Sequence, residues 1–481
     1  MKNKMLKALA SLLLLFAAFG HPARTQSTAR PMMEGRAAQA QGVKPNVLFI
    51  SVDDLNNDLG CYGHPLVKSP NIDRLAARGI RFDRAYAQYP LCNPSRASLL
   101  SGRRPETTRI FELQTAPRTA MPDAVFLPQL FRQHGYFTAR YGKVYHDGRD
   151  DKLSWDVSDN VESTDEQERE SNRRRYANPP NLRTPDWTPL DTPDEQTRDG
   201  RTARAIARLM EEKAKAGQPF FLAAGFHKPH LPWGAPKKYF ALYPLAHLAE
   251  RINATPDGPM RDIPPIALIT ELSGSPQPSS RAEAMAAYYA NITFMDAQVG
   301  VLLEALDRLG LWEQTVVVLF SDHGFHLGDH GGMWAKLSLF EQSARVPLII
   351  TAPGGFLQRR QRMRAGKAVR RPVELLDLYP TLAGVCGLPP PPGIEGKSLA
   401  PLLKNPGAVW NHPAYTMVFH NHVEGRSVRT ERWRYNEWDG GKQGVELYDH
   451  GRDPREFDNL ARDPRYTKTV AEMKKLLRLV K

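Results

Sequence analysis

The sequence lacks an apolar run long enough to cross a membrane as a helix. Its N-terminal run, ALASLLLLFAAFG at residues 8–20, is shorter than the about 20 residues that a bilayer requires, and no later segment resembles a span. Three lysines precede this run and a polar, alanine-rich stretch follows it, which is the pattern of a secretory signal peptide. We therefore predict a signal peptide at residues 1–25, export to the periplasm or the medium, and no stable membrane span. An N-terminal membrane anchor is the alternative interpretation.

Cysteine is scarce, since the 481 residues include only Cys61, Cys92 and Cys386. So few cysteines exclude a fold that depends on a disulfide framework. In the oxidising compartment that export implies, an odd number leaves at least one thiol free, chemically modified or paired with another molecule. We expect Cys61 and Cys386 to be small packed residues, so Cys92 is the cysteine that needs an explanation.

Motifs of nucleic-acid-binding proteins are also missing, with no basic heptads, zinc-finger spacing or RNP-like run. Lysine and arginine nevertheless number 65 against 52 aspartates and glutamates, which gives a net charge of +13. A basic exported protein suits an anionic partner. We therefore expect an anionic polysaccharide and no nucleic acid as the partner, and a basic surface that serves only solubility is the alternative.

Apolar, β-branched segments alternate with amphipathic segments along the first 400 or so residues. The predicted strands are 46–54, 136–144, 219–230, 315–324 and 346–355, and the predicted helices are 69–79, 126–135, 201–217, 282–310 and 373–387. This alternation predicts an α/β fold with a mostly parallel central sheet sandwiched by helices. After about residue 410 the pattern changes to short strands. We therefore predict a catalytic domain at 44–405 and a smaller C-terminal α+β lobe with an antiparallel sheet at 406–481.

Three of the predicted strands end in residues that can bind metals or transfer protons. The first ends in Asp53 and Asp54, another in FHKPH at 226–230, and a third in Asp322 and His323. In such sheets ligands bind beyond the carboxyl ends of the strands, so we expect one active site there. Several carboxylates without thiolates favour a hard cation, either calcium or magnesium. Helix caps or turns are the alternative interpretation of the aspartates.

The segment CNPSRASLLSGR at residues 92–103 has the features of a helix start. Asn93 can act as a cap, Pro94 suits the first helical turn, and Arg96 comes one turn after Cys92. A helix N-terminus stabilises negative charge, which could support a thiolate nucleophile at Cys92. Nearby carboxylates would oppose ionisation of the thiol. The residues alone therefore leave open a packed cysteine, a thiolate and a modified residue.

This segment resembles the signature of the type I sulfatase family, in which the cysteine is oxidised after synthesis to formylglycine. The resemblance covers residues 46 to about 461 and includes SVDD (51–54), GCYG (60–63), SPNIDRLA (69–76), GKVYH (142–146), FHKPH (226–230), SDHG (321–324), WAK (334–336), DLYPTL (377–382) and ELYDHGRDP (446–454). Within this family the sequence is most similar to the iduronate-2-sulfatase branch. The motifs that support this are GKVYH, AGFHKPHLP and the DHG found where many sulfatases have DNG. The resemblance implies an alkaline phosphatase-like fold and hydrolysis of sulfuric esters.

The mechanism that the resemblance implies begins with formylglycine at position 92, hydrated to a gem-diol. One hydroxyl attacks the sulfur while one calcium ion per chain screens the charge of the sulfate, and the alcohol leaves a covalent sulfo-enzyme. The second hydroxyl then loses its proton and expels sulfate, a step that a thiol could not perform. The resemblance also implies a partner that installs formylglycine, a formylglycine-generating or sulfatase-maturing enzyme.

The resemblance assigns the metal site residue by residue. The implied calcium ligands are Asp53, Asp54, residue 92, Asp322 and His323. For His323, support of the ligands from behind is the alternative role. Arg96 is implied to hold the gem-diol, because its forked guanidinium suits two oxygens.

The remaining implied site residues bind sulfate or move protons. Lys143 and His146 match a sulfate-binding pair, with His146 a candidate base, and Lys336 matches a second sulfate-binding lysine. His227 resembles the residue that contacts the ester or protonates the leaving oxygen. His230 is the alternative to His227, since the motif contains both histidines.

Other residues near these motifs are given simpler roles. We expect Lys228 to be a solvated lysine, and His326 and His330 either to line the pocket or only to shape a glycine-rich loop. The polar segments 150–200 and 254–280 are expected to be loops that line the sugar subsites.

The sequence thus predicts an exported sulfatase that hydrolyses O-sulfate esters of an acidic carbohydrate, in the manner of iduronate-2-sulfatase. A phosphonate monoester or phosphodiester hydrolase of the same superfamily is the enzymatic alternative. A degenerate polysaccharide-binding protein is the non-enzymatic one, and the intact motif residues argue against it.

Overall fold

A computed structural model describes residues 44–480, apart from 165, 167, 169, 171–185, 249–259, 270–275, 277, 354, 355 and 357–365. The predicted signal peptide lies outside the described residues, as do parts of the predicted loops at 150–200 and 254–280. Within the described part, no helix combines the length and the apolar character that crossing a bilayer requires.

The strands of the described chain are β1 Asn46–Val52, β2 Ile80–Tyr86, β3 Phe137–Gly142, β4 Val157–Asp159, β5 Trp187–Leu190, β6 Phe220–Phe226, β7 Trp233–Pro236, β8 Thr315–Ser321, β9 Arg345–Thr351, β10 Ala368–Val369, β11 Val373–Glu374, β12 Ala414–His420, β13 Val423–Arg429, β14 Trp433–Trp438 and β15 Gly444–Asp449. The central sheet has the order β10-β2-β9-β8-β1-β6-β3-β4, with β11 also paired to β2. Its pairings are parallel except those of β9 with β2 and β8. The predicted mostly parallel sheet is confirmed.

The helices of the described chain are α1 Pro70–Arg78, α2 Cys92–Ser101, α3 Pro105–Thr108, α4 Pro117–Ala120, α5 Leu127–Gln133, α6 Arg198–Lys215, α7 Lys237–Phe240, α8 Arg281–Leu309, α9 Asp329–Gly332, α10 Glu341–Ala344, α11 Leu378–Val385, α12 Ala400–Lys404 and α13 Thr467–Leu477. The helix predicted at 373–387 begins later than expected, because Val373 and Glu374 pair with β2 as strand β11.

Helices cover both faces of the central sheet because its central strands are apolar on both sides. In β1, Leu48 and Ile50 face one core layer with α1, α6 and α8, whereas Val47 and Phe49 face another with α2, α5 and α11. All seven residues of β1, β6 and β8 are buried, as expected of strands covered on both faces.

The C-terminal strands β12, β13, β14 and β15 form a separate antiparallel sheet in that order. Met473 and Leu477 of α13 pack on residues of this sheet. A second cluster joins the sheet to Leu339 and Phe340, which precede α10. The antiparallel sheet predicted for the C-terminal lobe is therefore present.

The register of the central strands brings their carboxyl ends to one edge. Val52, at the end of β1, pairs with Phe226 of β6 and with Ser321 of β8, and Gly142 of β3 pairs with Gly225. The residues that follow these strands, including the predicted site residues, therefore emerge side by side.

Candidate active site

Cys92 is the first residue of α2, and the extended residue Leu91 leads into the helix. The thiol is buried. Its Sγ lies 3.4 Å from Oδ1 of Asp53, 3.3 Å from Nε2 of His323 and 3.1 Å from Nζ of Lys336. Residues from three separate motifs thus meet at the start of one helix.

Asn93 does not cap this helix, contrary to the expectation from sequence. The helix already begins at Cys92, and the side-chain amide of Asn93 instead donates to the carbonyl oxygens of Glu112 and Thr115, at 2.9 and 2.8 Å. Asn93 therefore ties the segment 112–115 to the residue that follows Cys92.

The Cys92 thiol lies between opposing charges. Burial and the carboxylate of Asp53 raise its pKa, but Lys143, Lys336 and His323 together outweigh them and hold the pKa well below the ordinary thiol value. The carboxylate of Asp53 therefore opposes ionisation of the thiol, as expected. The positive charges around the thiol have the larger effect on its pKa.

Arg96 is fixed by several partners one turn after Cys92. Its Nε donates to Oδ2 of Asp322 at 2.7 Å, and its Nη1 donates to the carbonyl oxygens of Lys143 and Val144 at 2.6 and 3.0 Å. Its Nη2 lies 3.4 Å from Oδ1 of Asp53. The guanidinium thus links α2 to the ends of β1, β3 and β8.

Two lysines pair with the two aspartates that follow β1. Nζ of Lys143 lies 2.5 Å from Oδ2 of Asp53, and Nζ of Lys336 lies 2.6 Å from Oδ1 of Asp54. Burial lowers the pKa of each lysine, but the negatively charged groups nearby, the paired carboxylate first among them, raise it by more. Both pKa values therefore lie above the usual range. Both lysines are therefore cationic at neutral pH beside Cys92.

Four buried groups of the described chain could hold a metal ion together. Ligand atoms of Asp53, Asp54, Cys92 and His323 all lie within 4.8 Å of one another. The carboxylate oxygens suit a hard cation such as calcium, whereas the thiol sulfur suits calcium least and the imidazole nitrogen suits it poorly. The donor set therefore fits the predicted cation through its aspartates.

Asp322 stands beside this group, with its carboxylate engaged elsewhere. Oδ2 accepts from Arg96, and Oδ1 accepts from the backbone N–H of His323 at 3.0 Å. Burial raises the pKa of Asp322 to about 6. Burial lowers the pKa of His323, but Asp322 raises it to about 9.

The predicted histidines occupy different surroundings. His227 is buried beyond β6, with Nε2 3.4 Å from Oδ2 of Asp147, whereas Nε2 of His230 lies 3.9 Å from Oδ2 of Asp54. His146 follows β3, and its buried Nδ1 makes no hydrogen bond with the described residues. No described contact joins His146 to Cys92. The two residues are related only because both lie at the edge of the sheet where the central strands end.

Three simpler expectations are also decided by the structure. Lys228 is buried rather than solvated, and its Nζ donates to the carbonyl oxygen of Pro232 at 2.5 Å. His326 bonds to Oγ of Ser338 at 2.7 Å, and His330 stacks on Phe340. Both histidines therefore shape the glycine-rich loop.

Sequence reasoning missed several polar residues around the site. Asp147 lies beside His227, Asp199 accepts from the backbone N–H groups of His227 and Lys228, and Ser95 donates to the carbonyl oxygen of Asp322 at 2.5 Å. The available signals were the position of Asp147 directly after His146 and that of Ser95 within the segment 92–103. Asp199 lies at the start of α6, far along the chain from every motif.

Comparison with known proteins identifies the class. The chain matches the family model described as Sulfatase over residues 45–388, and the one described as N-sulphoglucosamine sulphohydrolase, C-terminal, over residues 328–481. The chain belongs to the sulfatase family and is a sulfuric ester hydrolase. The predicted family is confirmed.

The similarity extends to individual relatives. The chain is 36% identical to iduronate 2-sulfatase of Homo sapiens over 397 residues, which are 72% of this chain and 70% of that protein. It is 29% identical to Delta 4,5-hexuronate-2-O-sulfatase of Bacteroides thetaiotaomicron over 471 residues, which are 92% of this chain and 90% of that protein.

A solved structure shows the same architecture. The crystal structure of phosphonate monoester hydrolase of Agrobacterium radiobacter superimposes with a TM-score of 0.72 at 24% identity, covering 90% of this chain and 95% of that chain. The predicted alkaline phosphatase-like fold is confirmed.

Proposed function

We propose that this chain is an exported sulfatase that hydrolyses O-sulfate esters of an acidic carbohydrate, with residue 92 acting as formylglycine. The observation that carries the proposal is the charge around Cys92: Lys336 lies 3.1 Å from Sγ, and Lys143 and Arg96 lie against Asp53. A buried nucleophile position surrounded by fixed cations suits an anionic ester.

Residue 92 supplies the nucleophile in this proposal. Formylglycine, formed from Cys92 by a maturing enzyme of the host, would supply a hydrated aldehyde whose hydroxyl can attack sulfur. Arg96 lies one turn further along α2, and its bonds to three other elements leave it little freedom to move. Arg96 is therefore suited to orient the oxygens of residue 92.

The lysines and histidines complete the proposed machinery. Lys143 and Lys336 bind the sulfate oxygens, since their ammonium groups already lie at the thiol position and its neighbouring carboxylates. His146, whose Nδ1 makes no hydrogen bond with the described residues, serves as the base. His227 gives a proton to the leaving oxygen.

One calcium ion is proposed for the site. Asp53, Asp54, Asp322, His323 and residue 92 would hold it, and it would supply positive charge that offsets the charge of the sulfate. The convergence of ligand atoms supports this assignment, since those of Asp53, Asp54, Cys92 and His323 all lie within 4.8 Å of one another.

The proposed substrate is a glycan that carries 2-O-sulfated uronate. The two relatives named above are sulfatases of iduronate and hexuronate 2-sulfates, and a net charge of +13 favours an acidic chain. The described parts of the segments 150–200 and 254–280 are proposed to line the sugar subsites, and their sequences do not identify the sugar.

Two measurements test the function. Mass spectrometry of the peptide around residue 92, from protein made in the native host, should show loss of the sulfur. The matured protein should then release sulfate from defined oligosaccharides with 2-O-sulfated uronate. A thiol that stays unmodified throughout would leave the proposal without its nucleophile.

Export is tested on the same host. N-terminal sequencing of the protein from the periplasm or medium should place the first residue beyond Gly20. Full-length protein retained in the membrane would favour the anchor instead.

A phosphonate monoester or phosphodiester hydrolase is the second candidate function, favoured by the shared fold with the Agrobacterium enzyme. The two candidates predict opposite preferences. If the matured protein cleaves phosphodiesters far faster than any sulfate ester, the sulfatase assignment of its physiological substrate is wrong.

A further inference from the structure

The imidazole of His227 lies between two carboxylates. Its Nε2 lies 3.4 Å from Oδ2 of Asp147, and its Nδ1 lies 3.8 Å from Oδ1 of Asp199. Both ring nitrogens are buried, and neither makes a hydrogen bond with the described residues. Each ring nitrogen therefore lies within 4 Å of a carboxylate oxygen.

The two carboxylates have different tasks. Both oxygens of Asp199 accept backbone N–H groups, from His227 and from Lys228, each at 2.9 Å. Asp199 therefore fixes the backbone of the loop. Oδ2 of Asp147 faces the imidazole, and its Oδ1 lies 3.6 Å from Nη2 of Arg198. Asp147 is thus the carboxylate that lies nearer to the imidazole ring and has an oxygen directed at it.

The charge of Asp147 is maintained by its neighbours. Burial raises its pKa, but His227, Lys143 and Arg198 outweigh burial and hold the pKa well below the usual range. Asp147 is therefore ionised at neutral pH, and an ionised carboxylate favours the protonated form of a neighbouring imidazole.

We propose that Asp147 is the positioning residue of His227, keeping its imidazolium oriented so that one ring N–H can serve the leaving sugar oxygen. This inference rests on the proposed function, in which His227 protonates that oxygen. As the sulfur–oxygen bond to the sugar breaks, its electron pair stays on the sugar oxygen. That oxygen takes one proton from the imidazolium, which becomes neutral imidazole.

The proposal distinguishes between leaving groups. A sugar alkoxide is a poor leaving group and requires a proton as the bond breaks, whereas 4-nitrophenolate is a stable anion and requires none. Asp147 should therefore matter for a sugar sulfate and hardly at all for 4-nitrophenyl sulfate. A residue that only maintained the fold would affect both substrates alike.

The experiment compares Asp147→Asn with the matured wild-type protein on a 2-O-sulfated uronate disaccharide and on 4-nitrophenyl sulfate. We expect kcat/KM to fall by about 10- to 100-fold on the disaccharide, part of the 10²–10⁴ typical of general acid catalysis. On the aryl sulfate we expect a change of less than about twofold. Asp147→Glu, which retains the charge, should recover part of the loss.

The matched control is Asp307→Asn. Asp307 belongs to α8, outside the segments proposed to line the sugar subsites, and its Oδ2 lies 2.8 Å from Nη1 of Arg74. This variant should keep the wild-type ratio between the two substrates. Thermal unfolding of every variant checks the fold, and Asp147→Ser replaces Asp147→Asn if that protein is insoluble.

A double-mutant cycle supplies the second measurement. In a His227→Gln background, Asp147→Asn should cause no further loss on the disaccharide. A further loss of full size, or equal losses on both substrates in the wild-type background, would overturn the inference. Wild-type protein that cleaves neither sulfate would instead refute the proposed function, so the two failures are distinguishable.

Discussion

Arg96 and Asp322 form a buried ion pair in which Nε donates to Oδ2 at 2.7 Å, and neither side chain is more than 1% exposed. The other oxygen of Asp322 accepts the backbone N–H of His323. Both oxygens of this carboxylate thus already accept hydrogen bonds. If Asp322 binds calcium, the oxygen that does so also keeps its hydrogen-bond donor. This relationship makes Asp322 the most informative of the proposed ligands to change.

We expect Asp322→Asn to weaken calcium binding and turnover together, because the change removes the negative charge that would attract the cation. It should also lower the free energy of unfolding by about 3 kcal/mol, since Arg96 loses a buried partner. Titration calorimetry with calcium and chemical denaturation measure the two effects.

Asp296→Asn is a suitable control. This buried carboxylate of α8 accepts the N–H of Ile72 at 2.7 Å and is not one of the proposed calcium ligands. The control should lose stability without losing calcium affinity. If Asp322→Asn keeps the calcium dependence of wild-type protein, Asp322 is not a ligand.

Cys92→Ala should abolish turnover while leaving the fold largely intact. The thiol lies at the edge of the sheet among charged groups rather than in an apolar cluster. Loss of one sulfur there removes the nucleophile without opening the main core. Sulfate release and thermal unfolding test this expectation.

Cys386→Ala is the matched change at another buried cysteine. Cys386 packs in the core layer that contains α11, so its loss should reduce stability and spare activity. Substantial residual turnover in Cys92→Ala would refute a covalent route through residue 92.

Lys336→Met should have opposite effects on calcium binding and on catalysis. The ammonium lies 2.6 Å from Oδ1 of Asp54, a proposed ligand oxygen, so it repels a cation bound there. Its removal should tighten calcium binding by about 1–3 kcal/mol. Loss of a sulfate-binding charge should lower kcat/KM at the same time.

Lys336→Arg retains the charge and separates the two effects. We expect its calcium affinity to stay near that of the wild-type protein, as measured by calorimetry. Weaker calcium binding in Lys336→Met would show that Lys336 supports the metal site instead of competing with it.

The sequence predicted the site best where polar site residues directly follow the apolar strands. The apolar runs that end in Asp53 and in Asp322 predicted both the parallel strands and the edge at which their polar residues meet, because parallel strands end together. Lys228 and Asn93 were assigned wrongly, since the burial of Lys228 and the distant partners of Asn93 follow from packing and not from a local pattern. Asp147 could not be identified either, because its neighbour His227 follows a different strand, β6, and no local pattern joins them.

A buried arginine is one of the links between the C-terminal sheet and the catalytic part of the chain. Nε of Arg434 on β14 donates to Oε1 of Glu456 at 2.5 Å, Nη2 pairs with Glu341 of α10, and Nη1 donates to the carbonyl oxygen of Leu339 at 2.7 Å. Lys336 lies just before this segment in the chain. The arginine therefore anchors the stretch that follows a proposed sulfate-binding lysine.

We expect Arg434→Gln to lower the free energy of unfolding at neutral pH by about 3–5 kcal/mol, because two buried carboxylates lose one of the cations that pair with them. Burial raises the pKa of Glu341 and of Glu456, but His450 and Arg434 outweigh it and hold both values below the usual range. Carboxylates with lowered pKa values stabilise the folded state above their unfolded pKa of about 4.3 and lose that effect as the pH falls toward the folded values. The difference between wild type and variant should therefore be largest at neutral pH and shrink below about pH 4.

Urea denaturation at neutral and acidic pH measures this difference directly. Lys442→Gln on the turn between β14 and β15 is the matched control, because Lys442 is 79% exposed and its partner Asp439 is 47% exposed. It should change stability little at either pH, since exposed ion pairs contribute little. A loss in Arg434→Gln that is equal at both pH values would mean that packing of the long side chain, and not its charge, joins the sheet to the segment after Lys336.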